Sequence, residues 1–196
     1  MSRLDLVIGP NGAGKSTFVE QVLHRQVPNS VFVNADLIAK DRWPGDPERH
    51  AYEAAAIADQ TRKLLIARNR QFIAETVFSH PSKLQLLETA TEAGYRVVVH
   101  ILLIEEGTAI ERVRQRVGDG GHSVPEIKIR ARYRRLWPLV VTAAATAHAA
   151  DFWDNGSLVG PTLVAELVDG ELTGAPRWPN WTPPAIIERW PKVSDR

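Results

Sequence analysis

The stretch LDLVIGPNGAGKSTFVEQVL, residues 4–23, decides the reading of the fold. Its first five residues are a short apolar run halted by Gly9-Pro10, the pattern of a buried strand. From Lys15 to Leu23 the composition becomes helix-forming. Between the two lies Gly9-Pro10-Asn11-Gly12-Ala13-Gly14-Lys15-Ser16, a complete G-x-x-x-x-G-K-[ST] loop between a strand and a helix. Glycines at these positions let backbone N–H groups turn inward around phosphate oxygens. Lys15 is placed to reach β- and γ-phosphates, Ser16 to offer its hydroxyl to Mg²⁺, and the helix N-terminus adds its positive dipole end. Residues Gly9 to Ser16, with the adjoining Thr17, are therefore the expected ligands of a nucleoside triphosphate.

Outward from this loop, strand and helix signals alternate. VFVN (31–34), FIAETV (72–77), YRVVVHILLI (95–104) and FWD (152–154) read as further strands. Helices are expected over 51–69, 82–93 and 107–117, with a start at Asp46-Pro47-Glu48. Another should begin at Pro125 behind the capping-box pattern Ser123-x-x-Glu126, and Pro138 should kink or split it before about residue 149. PTLVAELVDGEL (161–172) reads as a hairpin turned by Asp169-Gly170. The expected fold is α/β: a mostly parallel five-stranded sheet flanked by helices, plus a C-terminal hairpin. No boundary or internal repeat interrupts residues 1–196, so one domain is expected. Residues 176–191 hold five prolines and three of the six tryptophans, so 176–196 should pack back on the body.

Composition narrows the setting. A net charge of +1 gives no global bias towards nucleic acid or an anionic membrane. The absence of cysteine excludes a disulfide scaffold and thiolate metal sites and fits a reducing, cytoplasmic compartment. No run of 18 apolar residues is present, and the apolar segment before Gly9 is too short for a signal sequence.

Two acids fall at strand ends, where open α/β sheets bind ligands. Asp36 follows VFVNA and Glu75 ends FIAE. Transfer of a phosphoryl group to an alcohol needs a carboxylate to orient and deprotonate the hydroxyl, and another can hold Mg²⁺ through its waters. Asp36 is read as the base and Glu75 as the metal-water or substrate ligand, with the roles exchangeable; Asp36 also suits a helix cap. Asn34, Thr76 and Ser79 would line the acceptor pocket.

Residues 112–135 carry eight Lys and Arg against two acids, a charge of +6 that leaves −5 for the remainder. Helix, glycine-rich turn (Gly118, Gly120, Gly121, then His122 as a turn residue) and helix make a hinged flap edged with guanidiniums. Arg112 pairs in face with Arg116, and Arg130 with Arg134, at i, i+4. Such arginines can neutralise a migrating phosphoryl group, and a closing flap excludes water. Part of the set reads simply as solvated salt bridges. A nucleic-acid surface lacks its interleaved aromatics beyond Tyr133. A nucleotide switch or NTPase without an acceptor remains the alternative, although the Asn-Lys-x-Asp motif of guanine-specific switches is absent.

GPNGAGKST (9–17), NADLIA (34–39), ETVFSH (75–80) and RVGDGGHSVPEIKIRARY (116–133) occur in order, with DNGS (154–157) as a weaker echo. Together they resemble the zeta-toxin family of P-loop kinases over roughly residues 4–157. The resemblance implies an adenylate-kinase-like core and ATP as donor. It implies the sugar hydroxyl of UDP-N-acetylglucosamine as acceptor, with another nucleotide sugar or nucleotide cofactor as the alternative. Restraint by an antitoxin on a separate chain is implied as well. By matching position it assigns the base to Asp36, the phosphate lysine to Lys15, and the lid arginines to Arg116 with Arg130 or Arg132.

Overall fold

The computed structural model describes residues 2–118, 124–157 and 159–192, with backbone only at 117 and 118. Seven strands form one sheet in the order β2-β3-β1-β4-β5-β6-β7. β2 (Val31–Val33), β3 (Phe72–Thr76), β1 (Arg3–Ile8), β4 (Arg96–Leu103) and β5 (Ala149–Asp154) run parallel. The hairpin of β6 (Thr162–Val168) and β7 (Glu171–Leu172) joins the same sheet, β6 pairing antiparallel with β5. The sheet thus has seven strands rather than the expected five. The two extra strands are the hairpin, which finds its hydrogen-bond partner on the exposed edge of β5 instead of standing apart. Its turn, Asp169-Gly170, has both residues at positive φ (49° and 81°), as an Asp-Gly hairpin requires.

Alternation along β1 sets the layers. Leu4, Leu6 and Ile8 point into one core with Ala58 of α4 (Ala51–Ala67), Leu87 of α5 (Leu84–Glu92), and Leu136, Trp137 and Val140 of α7 (Glu126–Thr146). Val7 points to the other face, against Phe18 of α1 (Lys15–Phe18) and Ala109 of α6 (Glu106–Gly118). Helix α1 continues through a π-helical segment (Val19–Leu23) into a last turn, α2 (His24–Gln26).

Three local expectations change. Residues 46–50 form a turn and α4 starts at Ala51. The helix that Asp36 suits as a cap does follow β2, as α3 (Ala35–Arg42), but its cap is Asn34: Asn34 Oδ1 accepts from the N–H groups of Asp36 (2.7 Å) and Leu37 (3.2 Å). Of the kink or split expected at Pro138, the split does not occur: α7 runs unbroken through it. Buried Leu136, Trp137, Val140, Ala143 and Ala144 lie on both sides of it, and that shared apolar face holds the helix together against a cost of about 3 kcal/mol for an interior proline. Gly120, Gly121, His122 and the Ser123 capping position lie outside the described residues.

Within 176–192, the segment before and through α8 (Pro184–Arg189) covers the β5 side of the core. Trp178 and Trp190 flank Phe152 edge-on, with centroids at 5.1 and 5.7 Å. The Trp178 indole donates to Trp190 O (2.9 Å) and the Trp190 indole to Gly170 O (3.0 Å), so neither polar tip is stranded.

Candidate active site

Register assembles the site. Val7 lies beside Glu75 and Ile8 beside Thr76, so the loop leaving β1 emerges next to the end of β3. On the other side Leu103 pairs with Asp154, bringing residues 154–156 to the same edge. Strand β1 lies between β3 and β4, both later in sequence, which is where the topology switches and ligands bind.

The cradle tolerates no side chains at its glycines. A Cβ at Gly12, where φ is 77°, would lie 2.6 Å from Ala109 O, and one at Gly14, also at 77°, 2.8 Å from Asn155 Nδ2. Asn155 Nδ2 in turn donates to Ala13 O (2.7 Å), while Arg112 donates to the carbonyls of Asn155 (2.8 Å) and Gly156 (3.2 Å). Asn155 and Arg112 thus brace the loop, a role the DNGS echo and the basic run did not disclose. The side chain of Asn11 presents a buried Oδ1 without a hydrogen-bond partner. Lys15 is buried, and its ammonium donates to Gly9 O (3.2 Å) and Pro10 O (3.0 Å). Burial pushes that ammonium below its ordinary range; the charges of Glu75 and Asp36 oppose the shift and that of Arg116 adds to it. These three residues therefore act on one point, the phosphate lysine. A buried, positively charged lysine in a backbone cradle with an adjacent hydroxyl fits an anionic triphosphate and its Mg²⁺.

Glu75 sits inside β3 at its carboxyl end and is half-buried. Its Oε2 accepts from Ser16 Oγ (2.7 Å) and Asn34 Nδ2 (2.6 Å). One carboxylate oxygen so joins the phosphate loop to the cap of α3. Asn34, expected in the acceptor lining, is buried with both amide ends engaged in this frame. Asp36 occupies the first turn of α3 and is exposed. Its backbone N–H is one of the two Asn34 caps, so helix geometry fixes the start of the side chain, whose charge acts on Lys15 while the residue stays open to solvent. Thr76 Oγ1 accepts from the N–H of Phe78 (3.3 Å), whose φ of 59° turns the chain sharply while its ring stays buried. Ser79 is half-buried one residue further on.

A cavity of about 400 Å³ opens beside Glu75 and Thr76, between α4 and the turn leading to α5. Asp59, Arg62, Lys63 and Lys83 line it, residues that carried no signal in the sequence beyond an ordinary charged helix face.

The basic helices α6 and α7 are stapled together. Ile110, Val113 and Ile129 form a small apolar cluster between them. Arg114 pairs with Glu126 at 2.6 Å, and Arg130 pairs with Glu126 at 2.8 Å and Glu106 at 3.3 Å. The pairing holds Glu126 below its usual carboxylate range, Arg130 contributing most. Arg130 is thereby occupied, whereas the half-buried Arg132 makes no ion pair among the described residues. Beneath α1, on the face of Phe18, a polar row with Asp5 and His100 buried at its centre crosses three strands: His100 Nε2 lies 2.9 Å from Asp5, His100 Nδ1 3.4 Å from Asp151, and Arg3 2.6 Å from Asp5. Burial alone would push His100 down, yet Asp151 and Asp5 outweigh it and hold the imidazole above its ordinary value.

The AAA domain family matches residues 4–139, from β1 into α7. The chain belongs to that family. The span takes in the phosphate loop, Glu75 and both basic helices, and the fold is that of the P-loop kinase-like AAA domains. No match is found among curated proteins. Among solved structures, the AvrRxo1-ORF1:-ORF2 complex is similar at a TM-score of 0.69 and 13% identity, over 88% of this chain and 60% of that one. The PezAT chromosomal toxin–antitoxin system of Streptococcus pneumoniae is similar at 0.61 and 12%, over 84% and 72%. A putative kinase from Chloroflexus aurantiacus is similar at 0.55 and 17%, over 68% and 79%. At these identities the likeness is one of fold, and this AAA domain spans 60% of the length of the first of them. Among the described residues no helix is long and apolar enough to cross a membrane.

Proposed function

We propose that this AAA domain is a zeta-toxin-like kinase that transfers the γ-phosphate of ATP to an alcohol of a small molecule. The observation that carries the reading is the shared Glu75: one carboxylate is hydrogen-bonded to Ser16 of the phosphate loop and also forms a wall of the neighbouring cavity. A nucleotide switch needs no such second chamber, which favours an acceptor.

In this reading residues 9–17 cradle the triphosphate and Lys15 leaves the Gly9 and Pro10 carbonyls to meet its oxygens. Ser16 and Glu75 would hold Mg²⁺, which would supply positive charge to the phosphate oxygens. Asp36, open to substrate, accepts the proton of the acceptor hydroxyl as that oxygen bonds to the γ-phosphorus and the bond to ADP breaks. Glu75 is the poorer base because its Oε2 already serves two donors. Thr76 and Ser79 belong to the acceptor side, and Arg116 with Arg132 would neutralise the phosphoryl group in flight. Arg130 serves instead as a staple.

UDP-N-acetylglucosamine is the acceptor proposed first, on the zeta-toxin resemblance, and a nucleotide cofactor second. A separate antitoxin and a cytoplasmic location go with the toxin-like reading, which the PezAT likeness supports at the level of fold. An AvrRxo1 complex with ATP supports the donor at the same level. The test is ATP consumption by purified protein with Mg²⁺, with and without UDP-N-acetylglucosamine, and with a pool of hydroxyl-bearing metabolites. Acceptor-dependent turnover is expected. Equal turnover without any acceptor would sink the kinase reading in favour of an NTPase. Turnover that ignores UDP-N-acetylglucosamine but follows another acceptor would remove only the nucleotide sugar.

A further inference from the structure

The cavity beside Glu75 holds charge that the phosphate cradle does not use. Arg62, on α4, and Lys83, in the short helical turn Pro81–Lys83 before α5, both line it. The Arg62 side chain is only 11% exposed, and its Nε is buried with no partner. Its one ion pair among the described residues is a long 3.4 Å contact with Asp59, and Asp59 is already held at 2.8 Å by Lys63. Lys83 makes no ion pair among the described residues. Asp59 therefore faces three cations, and Glu75, the other carboxylate lining the cavity, has its Oε2 engaged by Ser16 and Asn34. The floor beneath them is apolar, built from Leu6, Ala74, Ile66 and Leu86.

This arrangement is costly unless something anionic completes it. A buried guanidinium edge without an acceptor loses hydration that nothing replaces. Two cations sharing a low-dielectric wall also repel: burial and then the charge of Arg62 push the Lys83 ammonium below its ordinary range, with Asp59 opposing. A purely structural arginine would be satisfied by the fold, as Arg114 and Arg130 are. An anion with two or more oxygens matches both the planar fork of Arg62 and the point charge of Lys83.

We propose that Arg62 and Lys83 form an anion-recognition subsite for the phosphoryl acceptor, which carries a phosphate or carboxylate group bound by this pair while its hydroxyl points toward the phosphate loop. The word acceptor rests on the kinase reading; the anion subsite itself does not. It also makes Arg62 and Lys83 specificity-determining residues, since a neutral alcohol of the same shape would leave both cations uncompensated.

The test uses the full chain with its phosphate loop filled by AMP-PNP and Mg²⁺, so that Lys15 cannot capture the probe. Glucose, gluconate and glucose 6-phosphate are titrated in by calorimetry; they offer similar hydroxyls with no anion, a carboxylate or a phosphate. At least one anionic probe is expected to bind about tenfold or more tightly than glucose, and which one binds identifies the anion. Arg62→Gln and Lys83→Gln should each weaken that binding by about tenfold or more and leave AMP-PNP binding unchanged. If Arg62→Gln fails to fold by circular dichroism, Lys83→Gln, which removes no ion pair, carries the test. Three outcomes would overturn the subsite: glucose binding as well as both anions, no binding of any probe, or wild-type affinity in the variants. A chain that binds the anion but consumes no ATP with any acceptor loses the kinase reading and keeps the subsite. One that phosphorylates a neutral alcohol and ignores anions keeps the kinase reading and loses the subsite.

Discussion

Glu75 divides the carboxyl edge of the sheet into two halves that are built on different principles. On the cradle side, geometry is set by backbone. A Cβ at Gly9 would lie 2.8 Å from Leu102 O, those at Gly12 and Gly14 would collide as well, and Asn155 clamps the Ala13 carbonyl. On the cavity side the polar groups are side chains, mounted on α4 and the turn before α5 over an apolar floor. The triphosphate is the same in every donor nucleotide, so a cradle for it admits few residue types. An acceptor is recognised by side chains that can be exchanged without disturbing the backbone. The first half is therefore written as a motif and the second as ordinary helix surface.

Disabling the cradle should cost most. Lys15→Ala removes the buried ammonium on which Glu75, Asp36 and Arg116 converge, and ATP turnover should fall by roughly 10³ or more, with weakened nucleotide binding. Retained turnover would mean that the chemistry lies outside the cradle. The dividing line itself comes next. Asp36→Asn should cut turnover by about 10² to 10⁴ and spare nucleotide affinity, because Asp36 touches neither the cradle backbone nor Ser16. Glu75→Gln should disturb both halves, raising KM for ATP and acceptor together, as its Oε2 serves Ser16 and the cap of α3. A silent Asp36→Asn beside a dead Glu75→Gln would reverse the assignment of the base. The smallest effect separates two arginines of α7. Arg132→Ala should lower kcat by about tenfold or more, whereas Arg130→Ala should chiefly lower thermal stability, since Glu106 and Glu126 already hold its charge. Equal loss of kcat in both would show that the staple opens during turnover.

The same contrast explains what could be read from the residues alone. The alternation of apolar runs with helix-forming stretches disclosed the parallel strands, and Asp169-Gly170 the hairpin, because each follows from local backbone preference. That preference says nothing about which edge accepts the hairpin, hence the difference between five strands and seven. Asn34 reads as the end of a strand; its work as a cap appears only when the next turn, Ala35-Asp36-Leu37, folds beneath it. Pro138 breaks a helix by propensity, but burial on both sides of it decides otherwise. Asp59, Arg62 and Lys63 have the i, i+3 and i, i+4 spacing of a solvated ion-pair ladder, and only packing shows the Arg62 head turned inward. Arg130 and Arg132, two residues apart, look equivalent until the carboxylates of Glu106 and Glu126 are in place.

The pair of tryptophans around Phe152 bears on how the molecule comes into being. Chains are made from the N-terminus, so the phosphate loop, Glu75 and Asp36 all exist well before Trp178 and Trp190. Until those two indoles arrive, Phe152 and the neighbouring β5–β6 face stand exposed to water, and the Gly170 carbonyl awaits its donor. The groups proposed to act in catalysis on β1, β3 and α3 are thus synthesised ahead of Trp178 and Trp190. A nascent chain carries its phosphate loop and Glu75 before the indoles that cover Phe152 exist.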